Sequence, residues 1–492
     1  MEFQISKNSA VGDTVLDPFC GSGSVGLEAI IGGRNFIGYD LNPFAIKLSE
    51  STMCSKFDNK VFENHLAKII ENSKIEVMKL YQHDENYVLY TIPGKGNKQP
   101  YNLVLCDFDF RKIGQIHLQE MSIDYGMEDL KTIKVPDREF PAKFYKDRFS
   151  YKGVKKVSDL FSTRSLLALE ILRENISTLP EESKLDFTLV LTNTLLHVTK
   201  LKSEKIRPLG VNNYWIPDDF IEENVLWRFL DRAKQYQVAK NEISSRFREN
   251  KGTKIGLHDL RQASSIPMSA VASNSIDYIL TDPPYGDVIQ YSELSFVWNV
   301  WLEEIQDSTS ELIVNPVQEK DNSYFLDMLG LFIEDCFRVL KSGHKMTLCF
   351  QNKNPEIWFK VANLARGAGF KLDNIETFDF LGSTFNKNWS KNSPKVDLYV
   401  TLVKPEIDKR ELEENYRILS FIDLFELVSK ESNIVEVNQV HDTYSKMIGI
   451  GIHHIFKGYK VMGFSRKEIE SFLSSNSEDV MEDAKYFQEG FF

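Results

Sequence analysis

The chain has 492 residues, 42% of them hydrophobic and 26% charged, with a formal net charge of −12. No run approaches the roughly 20 apolar residues that span a bilayer, and residues 1–13 hold no apolar core for a signal peptide, so a cytosolic protein of two or three domains is expected. Cys20, Cys54, Cys106, Cys336 and Cys349 lie far apart with no C-x-x-C pair, which argues against a disulfide framework or a structural zinc site; no bound metal is expected. The acidic balance means that any grip on a polyanion must come from local patches.

Thr14-Val-Leu-Asp17 reads as a short strand closing on an acid. It runs into Pro18-Phe-Cys-Gly21-Ser-Gly23 and a helix-like stretch from Ser24 to Ile31, stopped by Gly32 and Gly33. Without a Cβ, Gly21 and Gly23 let the backbone turn sharply and approach a ligand closely. Asn35 to Asp40 predicts a second strand ending in a carboxylate, and Asn42-Pro43 reads as an N-cap followed by the first helical position. This is half of a doubly wound sheet, in which Asp40 is placed to accept both ribose hydroxyls of an adenosine. Gly21 to Gly26 also satisfies G-x-G-x-x-G, so a nicotinamide or flavin dinucleotide is the competing reading. Asp17 favours the other: an acid just before the loop repels a diphosphate and attracts the ammonium and sulfonium charges of S-adenosyl-L-methionine.

Residues 57–250 are too many for a loop and predict an inserted, mostly helical domain, with helices over Leu160 to Ile176 and Asn224 to Arg248. Within it, Lys131 to Lys156 carries nine Lys or Arg against three acids, interleaved with Phe140, Phe144, Tyr145, Phe149 and Tyr151. That alternation suits phosphate contact and base stacking, and equally a solvated face over a few core aromatics. Lys254 to Asp259 reads as the third strand.

Ile276 to Thr281 has the pattern of a buried strand and leads directly into Asp282-Pro283-Pro284-Tyr285-Gly286. The two prolines stiffen the backbone. Stiffness suits a site in which the Asp282 carboxylate and the Pro283 carbonyl accept the two N–H groups of one amino nitrogen, localising its lone pair, while Tyr285 stacks on a flipped base. Alone, the tetrapeptide would read as a turn. Tyr291, Trp298 and Trp301 follow on a predicted helix and read as packing more than as base contacts. Helices over Tyr324 to Leu340 and Pro355 to Ala368, and strands over Lys345 to Phe350, Phe370 to Phe380 and Val396 to Val403, bring the strands to seven. The last two are expected to form an antiparallel edge. Residues 406–492 read as a helical tail, with Ser465 as an N-cap.

With D-P-F-x-G-S-G at Asp17 to Gly23 and D-P-P-Y at Asp282 to Tyr285, the chain resembles the DNA amino-methyltransferases of the adenine-N6 and cytosine-N4 type. The resemblance implies an α/β fold built on a seven-stranded Rossmann-like methyltransferase sheet. It implies S-adenosyl-L-methionine held by Asp17, Pro18, Phe19, Gly21, Gly23 and Asp40, with Asp259 after strand 3 at the adenine ring. It gives Asp282, Pro283, Pro284 and Tyr285 to catalysis, and an aspartate in the first catalytic position favours adenine. The stretches Leu160 to Arg164, Asn213 to Pro217 and Gln290 to Leu294 resemble large bacterial site-specific methyltransferases with long insertions. On that likeness residues 1–56 and 251–405 form the catalytic domain, 57–250 a target-recognition domain and 406–492 a helical region, with double-stranded DNA as the partner. D-P-P-Y-G also occurs in RNA guanine-N2 methyltransferases, which keeps that substrate open beside DNA cytosine. Two departures stand out. The insertion precedes the strand-3 acid, and Thr14 begins strand 1 so early that the segment closing over the methionine end has no room. The pocket is therefore expected to be open, completed by a partner subunit, or impaired as in an inactive DNA-recognition subunit.

Overall fold

A computed structural model describes residues 1–92, 101–118, 134–145, 154–204, 207–209, 214–217, 219–250, 254–350, 354–379, 396–406, 417–432, 440–465, 467–469 and 471. Helix α1 (Glu2–Asn8) precedes β1 (Thr14–Asp17), α2 (Ser24–Ile31), β2 (Asn35–Asp40) and α3 (Pro43–Met53). As the sequence predicts, Asn42 caps α3 by accepting from the Phe44 N–H, and Pro43 takes its first position, where a missing N–H is harmless.

The chain then leaves the large sheet. It forms α4 (Asn59–Leu80), a four-stranded antiparallel sheet of β3 (Gln82–His83), β4 (Asn86–Ile92), β5 (Tyr101–Cys106) and β6 (Lys112–Leu118), then α5 (Thr163–Ser177), α6 (Glu181–Leu195) and α7 (Val225–Glu249). The expected helices are α5 and α7, and the stretch is mostly helical; the small sheet is not among the predicted elements. Tyr87, Val88, Leu89, Leu103, Val104 and Leu105 have the apolar and aromatic side chains that a pleated surface buries. At the centre of the helical packing Arg164, 1% exposed, donates from Nε to Glu222 Oε1 at 2.6 Å and from its terminal nitrogen to Oε2.

Back in the large sheet come β7 (His258–Gln262), β8 (Ile276–Thr281), α8 (Tyr291–Leu294), α9 (Phe296–Trp301), α10 (Asn322–Val339), β9 (Leu340–Phe350), α11 (Pro355–Ala368), β10 (Lys371–Asp379) and β11 (Val396–Val403). The strand order is β10-β11-β9-β8-β1-β2-β7. This is the seven-stranded α/β sheet the sequence implies. Every residue of β8 is buried, as a strand flanked by parallel neighbours and covered on both faces requires. One strand reading needs correction: the third strand is His258–Gln262, not Lys254–Asp259. The final pair forms the expected antiparallel edge, with β11 between β9 and β10 and antiparallel to both.

One face of the sheet packs α10 and α11, the other α1, α2 and the end of α7 through Ile243 and Phe247. The described C-terminal elements are β12 (Ile418–Leu419), α12 (Phe421–Ser432), α13 (Val440–Phe456) and β13 (Lys460–Val461). They are no loose tail: Ile448, Ile452 and Ile455 of α13 enter the main core beside Phe359 of α11. Ser465 does act as a cap, its Oγ accepting from the Glu468 N–H at 3.2 Å. No helix among the described residues is long and apolar enough to cross a membrane.

Candidate active site

The loops after β1, β2, β7 and β8 converge at the carboxyl ends of their strands and enclose a cavity of about 420 Å³. Open α/β sheets bind ligands at this position, and the size is that of a small-molecule site. Asp17, Pro18, Phe19, Gly21, Asp40, Asp282 and Pro284 line it. The two motifs, about 265 residues apart in sequence, therefore share one pocket because β1 and β8 are parallel neighbours.

The loop after β1 is held from several sides. The Cys20 N–H donates to the Tyr39 carbonyl at 2.9 Å, and Ser49 Oγ of α3 donates to the Gly21 carbonyl at 2.8 Å. Gly21 has φ +51°, and a Cβ there would meet no atom within 4 Å, so its open side is room for a ligand. Gly23, with φ +79°, has a different duty. A Cβ would lie 2.9 Å from the Ser49 Cα, so the glycine lets α2 and α3 close together, and it does not line the cavity.

Asp40 accepts from the Gly21 N–H at 3.0 Å and from the Asn42 N–H at 2.8 Å, one bond on each oxygen, which leaves each oxygen a lone pair. Burial nevertheless raises its pKa. Asp17 is 3% exposed, and burial pushes its carboxyl up to about 7 against the opposing pull of the Phe19 N–H at 3.1 Å. The Thr281 hydroxyl, at the end of β8, makes no well-formed hydrogen bond but stands near enough to ease the ionisation of Asp17, while Asp282 and Asp40 oppose it. Carboxylates gathered at one cavity, the buried Asp17 among them, favour a cation.

In the loop after β8, Tyr285 donates its hydroxyl to Asp282 Oδ1 and sets its ring edge-on to Phe350, 5.6 Å between centroids. Pro283 is buried, and Pro283 and Tyr285 lie just behind the cavity lining. Asp259 is not at the site. It stands second in β7, opposite Ile37, and its carboxylate takes the Arg261 guanidinium at 2.7 Å. Gln262 is the β7 residue level with Asp40, so Asp259 sits about 10 Å upstream at roughly 3.3 Å per residue. Ala263, Ser264, Ser265 and Ile266 occupy the position given to it.

Trp301 is buried and Trp298 stacks on Phe44 at 4.8 Å, both as packing. Tyr291, read the same way, lines the cavity instead, and its hydroxyl is pushed up by burial and by Asp282 and Asp40 nearby. Glu311, also in the lining and 3% exposed, had no motif to announce it. It accepts from the Ser292 N–H at 2.9 Å and from Ser292 Oγ at 2.5 Å, and burial raises its pKa. All five cysteines are unpaired, and among the described residues no cluster of His, Cys, Asp or Glu could hold a metal ion.

Residues 1–51 match a family model described as DNA methylase, of the N6 and N4 type. No curated protein matches the chain. Among solved structures, a SAM-dependent methyltransferase from Methanosarcina mazei is 9% identical, covering 82% of this chain and 97% of its own, with a TM-score of 0.26. A 16S rRNA adenine-N1 methyltransferase from Catenulisporales acidiphilia with its cosubstrate SAM is 11% identical over 36% of this chain and 74% of its own, TM-score 0.20. An antibiotic-related methyltransferase is 13% identical over 35% and 70%, TM-score 0.17. These likenesses are slight; the fold is defined by the strand order itself.

Proposed function

We propose that the chain is an S-adenosyl-L-methionine-dependent methyltransferase acting on the exocyclic amino group of a DNA base, adenine N6 in the first place. The observation that carries this reading is the meeting in one cavity of Asp17 and Asp282, from the two motifs, with Asp40 at the end of β2. The pocket fits the cofactor chemically. Buried carboxylates suit its ammonium and sulfonium charges and would repel a dinucleotide's diphosphate, and Asp40 keeps a lone pair on each oxygen for ribose hydroxyls. Gly21 leaves open space where a side chain would intrude.

When bound, the cofactor supplies an electrophilic methyl group. Asp17, Phe19 and Gly21 hold it, Asp40 fixes its ribose, and Pro18 shapes the turn. Asp282 accepts one N–H of the target amino group and the Pro283 carbonyl the other, so the nitrogen lone pair leaves conjugation with the ring. Pro284 stiffens the loop. Tyr285 releases Asp282 to the substrate and offers its ring to the extruded base.

Titration calorimetry tests the division of labour. Asp17→Ala should abolish measurable binding of S-adenosyl-L-methionine and Tyr285→Ala should largely spare it. Equal losses would merge the two proposed sites into one and remove the basis for this reading.

A further inference from the structure

Tyr291 opens α8 with its backbone locked on both sides. Gln290 before it, fully buried, donates from Nε2 to the Val314 carbonyl at 3.0 Å and accepts from Asn315 Nδ2 at 2.8 Å. Ser292 after it is bonded twice to the Glu311 carboxylate, and Ser295 donates to the Tyr291 carbonyl from its N–H at 2.9 Å and from its Oγ at 2.8 Å. Support of this kind fixes where a side chain points. Tyr291 lines the cavity and remains 38% exposed, so it has surface to give to a ligand.

Its hydroxyl stands within electrostatic reach of Asp282, Asp40 and Glu311, and no hydrogen bond to a described residue occupies it. Burial and these acids hold the phenol neutral. The neighbouring carboxylates draw its single proton, which leaves the oxygen's lone pairs free to accept. Asp40 ends β2 and Asp282 follows β8, the strands on either side of β1, so two strand spacings of about 4.8 Å set the backbones of the two acids roughly 10 Å apart. In the reading above, Asp40 holds the ribose and Asp282 the target nitrogen. In-line transfer then requires the sulfur, the methyl group and the nitrogen to lie in that interval. A hydroxyl that faces both acids faces the methyl group.

We infer that the Tyr291 hydroxyl contacts the sulfonium methyl of S-adenosyl-L-methionine, its oxygen accepting from the methyl C–H groups, and so separates the cofactor from its demethylated product. This rests on the methyltransferase reading and adds to it a residue at the transferring group. The methyl hydrogens carry part of the sulfonium charge, which makes them donors to a nearby oxygen. S-adenosyl-L-homocysteine has neither the charge nor the methyl group. The contact therefore favours the loaded cofactor and lets the spent one leave.

Titration calorimetry on the full chain at pH 8, where Asp17 is mostly ionised, compares three ligands. They are S-adenosyl-L-methionine, S-adenosyl-L-homocysteine, and sinefungin, in which a carbon bearing an ammonium group replaces the sulfonium. Tyr291→Phe removes only the hydroxyl. It should weaken S-adenosyl-L-methionine about two- to fivefold, the size of one C–H···O contact. Sinefungin should lose about tenfold or more, because a charged N–H donates more strongly, and S-adenosyl-L-homocysteine should lose nothing. A loss shared equally by the three ligands, as a disturbed cavity wall would give, or no loss for S-adenosyl-L-methionine, would overturn the assignment. Asp40→Asn tests the reading beneath it and should weaken all three alike, because all carry the same ribose. A parent protein that binds none of them, or an Asp40→Asn variant that binds them as the parent does, sinks that reading. A parent that binds all three, with a Tyr291→Phe variant that does not discriminate among them, sinks only the methyl contact.

Discussion

Asp17 concentrates the conflict between stability and binding in one side chain. Its folded pKa, raised to about 7 by burial, exceeds the unfolded value near 3.8, so the folded state holds a proton that the unfolded state releases. Its contribution to stability is therefore present below pH about 4 and is lost as pH rises through 7, a loss of about 4 kcal/mol at 1.36 kcal/mol per unit. Asp17→Asn should be more stable than the parent in urea unfolding at pH 8 and no different at pH 4; equal stability at both would refute the buried charge. Binding runs the other way. A cationic cofactor needs Asp17 ionised, so affinity should fall about tenfold per pH unit below 7 and level off above it, and Asp17→Asn should flatten that profile. Asp282 is judged by rate: Asp282→Ala should slow methyl transfer by a factor of about 100 or more with little change in DNA affinity, and activity within tenfold of the parent excludes it. These residues were legible because each ends a strand and opens a glycine or proline turn. Glu311 and Tyr291 were not, since they reach the cavity from a loop and a short helix whose positions depend on packing across the molecule.

Among elements, the βαβ unit from Thr14 to Asp40 could be read almost residue by residue, because short strands, glycine turns and a capped helix are all local signals. What it hid was the reason for Gly23, whose missing Cβ makes room for α3 and not for a ligand. Gly23→Ala combines a left-handed backbone with a 2.9 Å approach to the Ser49 Cα and should cost about 2 kcal/mol or more, seen as a lower denaturation midpoint. Unchanged stability would mean that α2 and α3 are not in close contact. The third strand was misplaced because His258 to Gln262 is a polar edge strand, with no apolar run to mark it, while Ile255 and Leu257 just upstream imitate one. The place of β11 between β9 and β10 is likewise a matter of pairing between strands, and hydrophobic pattern alone does not specify partners.

At the scale of the whole molecule, the core of residues 57–250 does not stop at their boundary. Val297, Val300 and Trp301 of α9 belong to it, and Tyr214 Oη donates to the carbonyls of Glu293 and Leu294 at 2.9 and 3.0 Å. The loop after β8 is thus gripped by the sheet through Tyr285 and Phe350 on one side and by residues 57–250 through α8 and α9 on the other. The length of this stretch, on which the insertion was expected, gives no sign of these contacts. Of the two readings open for the basic segment, Phe140 and Phe144 follow the one with core aromatics, while Phe149 and Tyr151 lie outside the described residues. The inserted region depends on its buried ion pair, and Arg164→Leu, which leaves Glu222 uncompensated, should destabilise by about 3 to 5 kcal/mol in chemical denaturation. Whether the assembled molecule is the enzyme proposed here is decided most directly by expressing it in a host without DNA methylation and mapping modified bases by single-molecule sequencing. The account predicts N6-methyladenine in one short sequence motif, absent from cells carrying Asp282→Ala. Unmodified DNA, or methylation that persists in the Asp282→Ala strain, would contradict it.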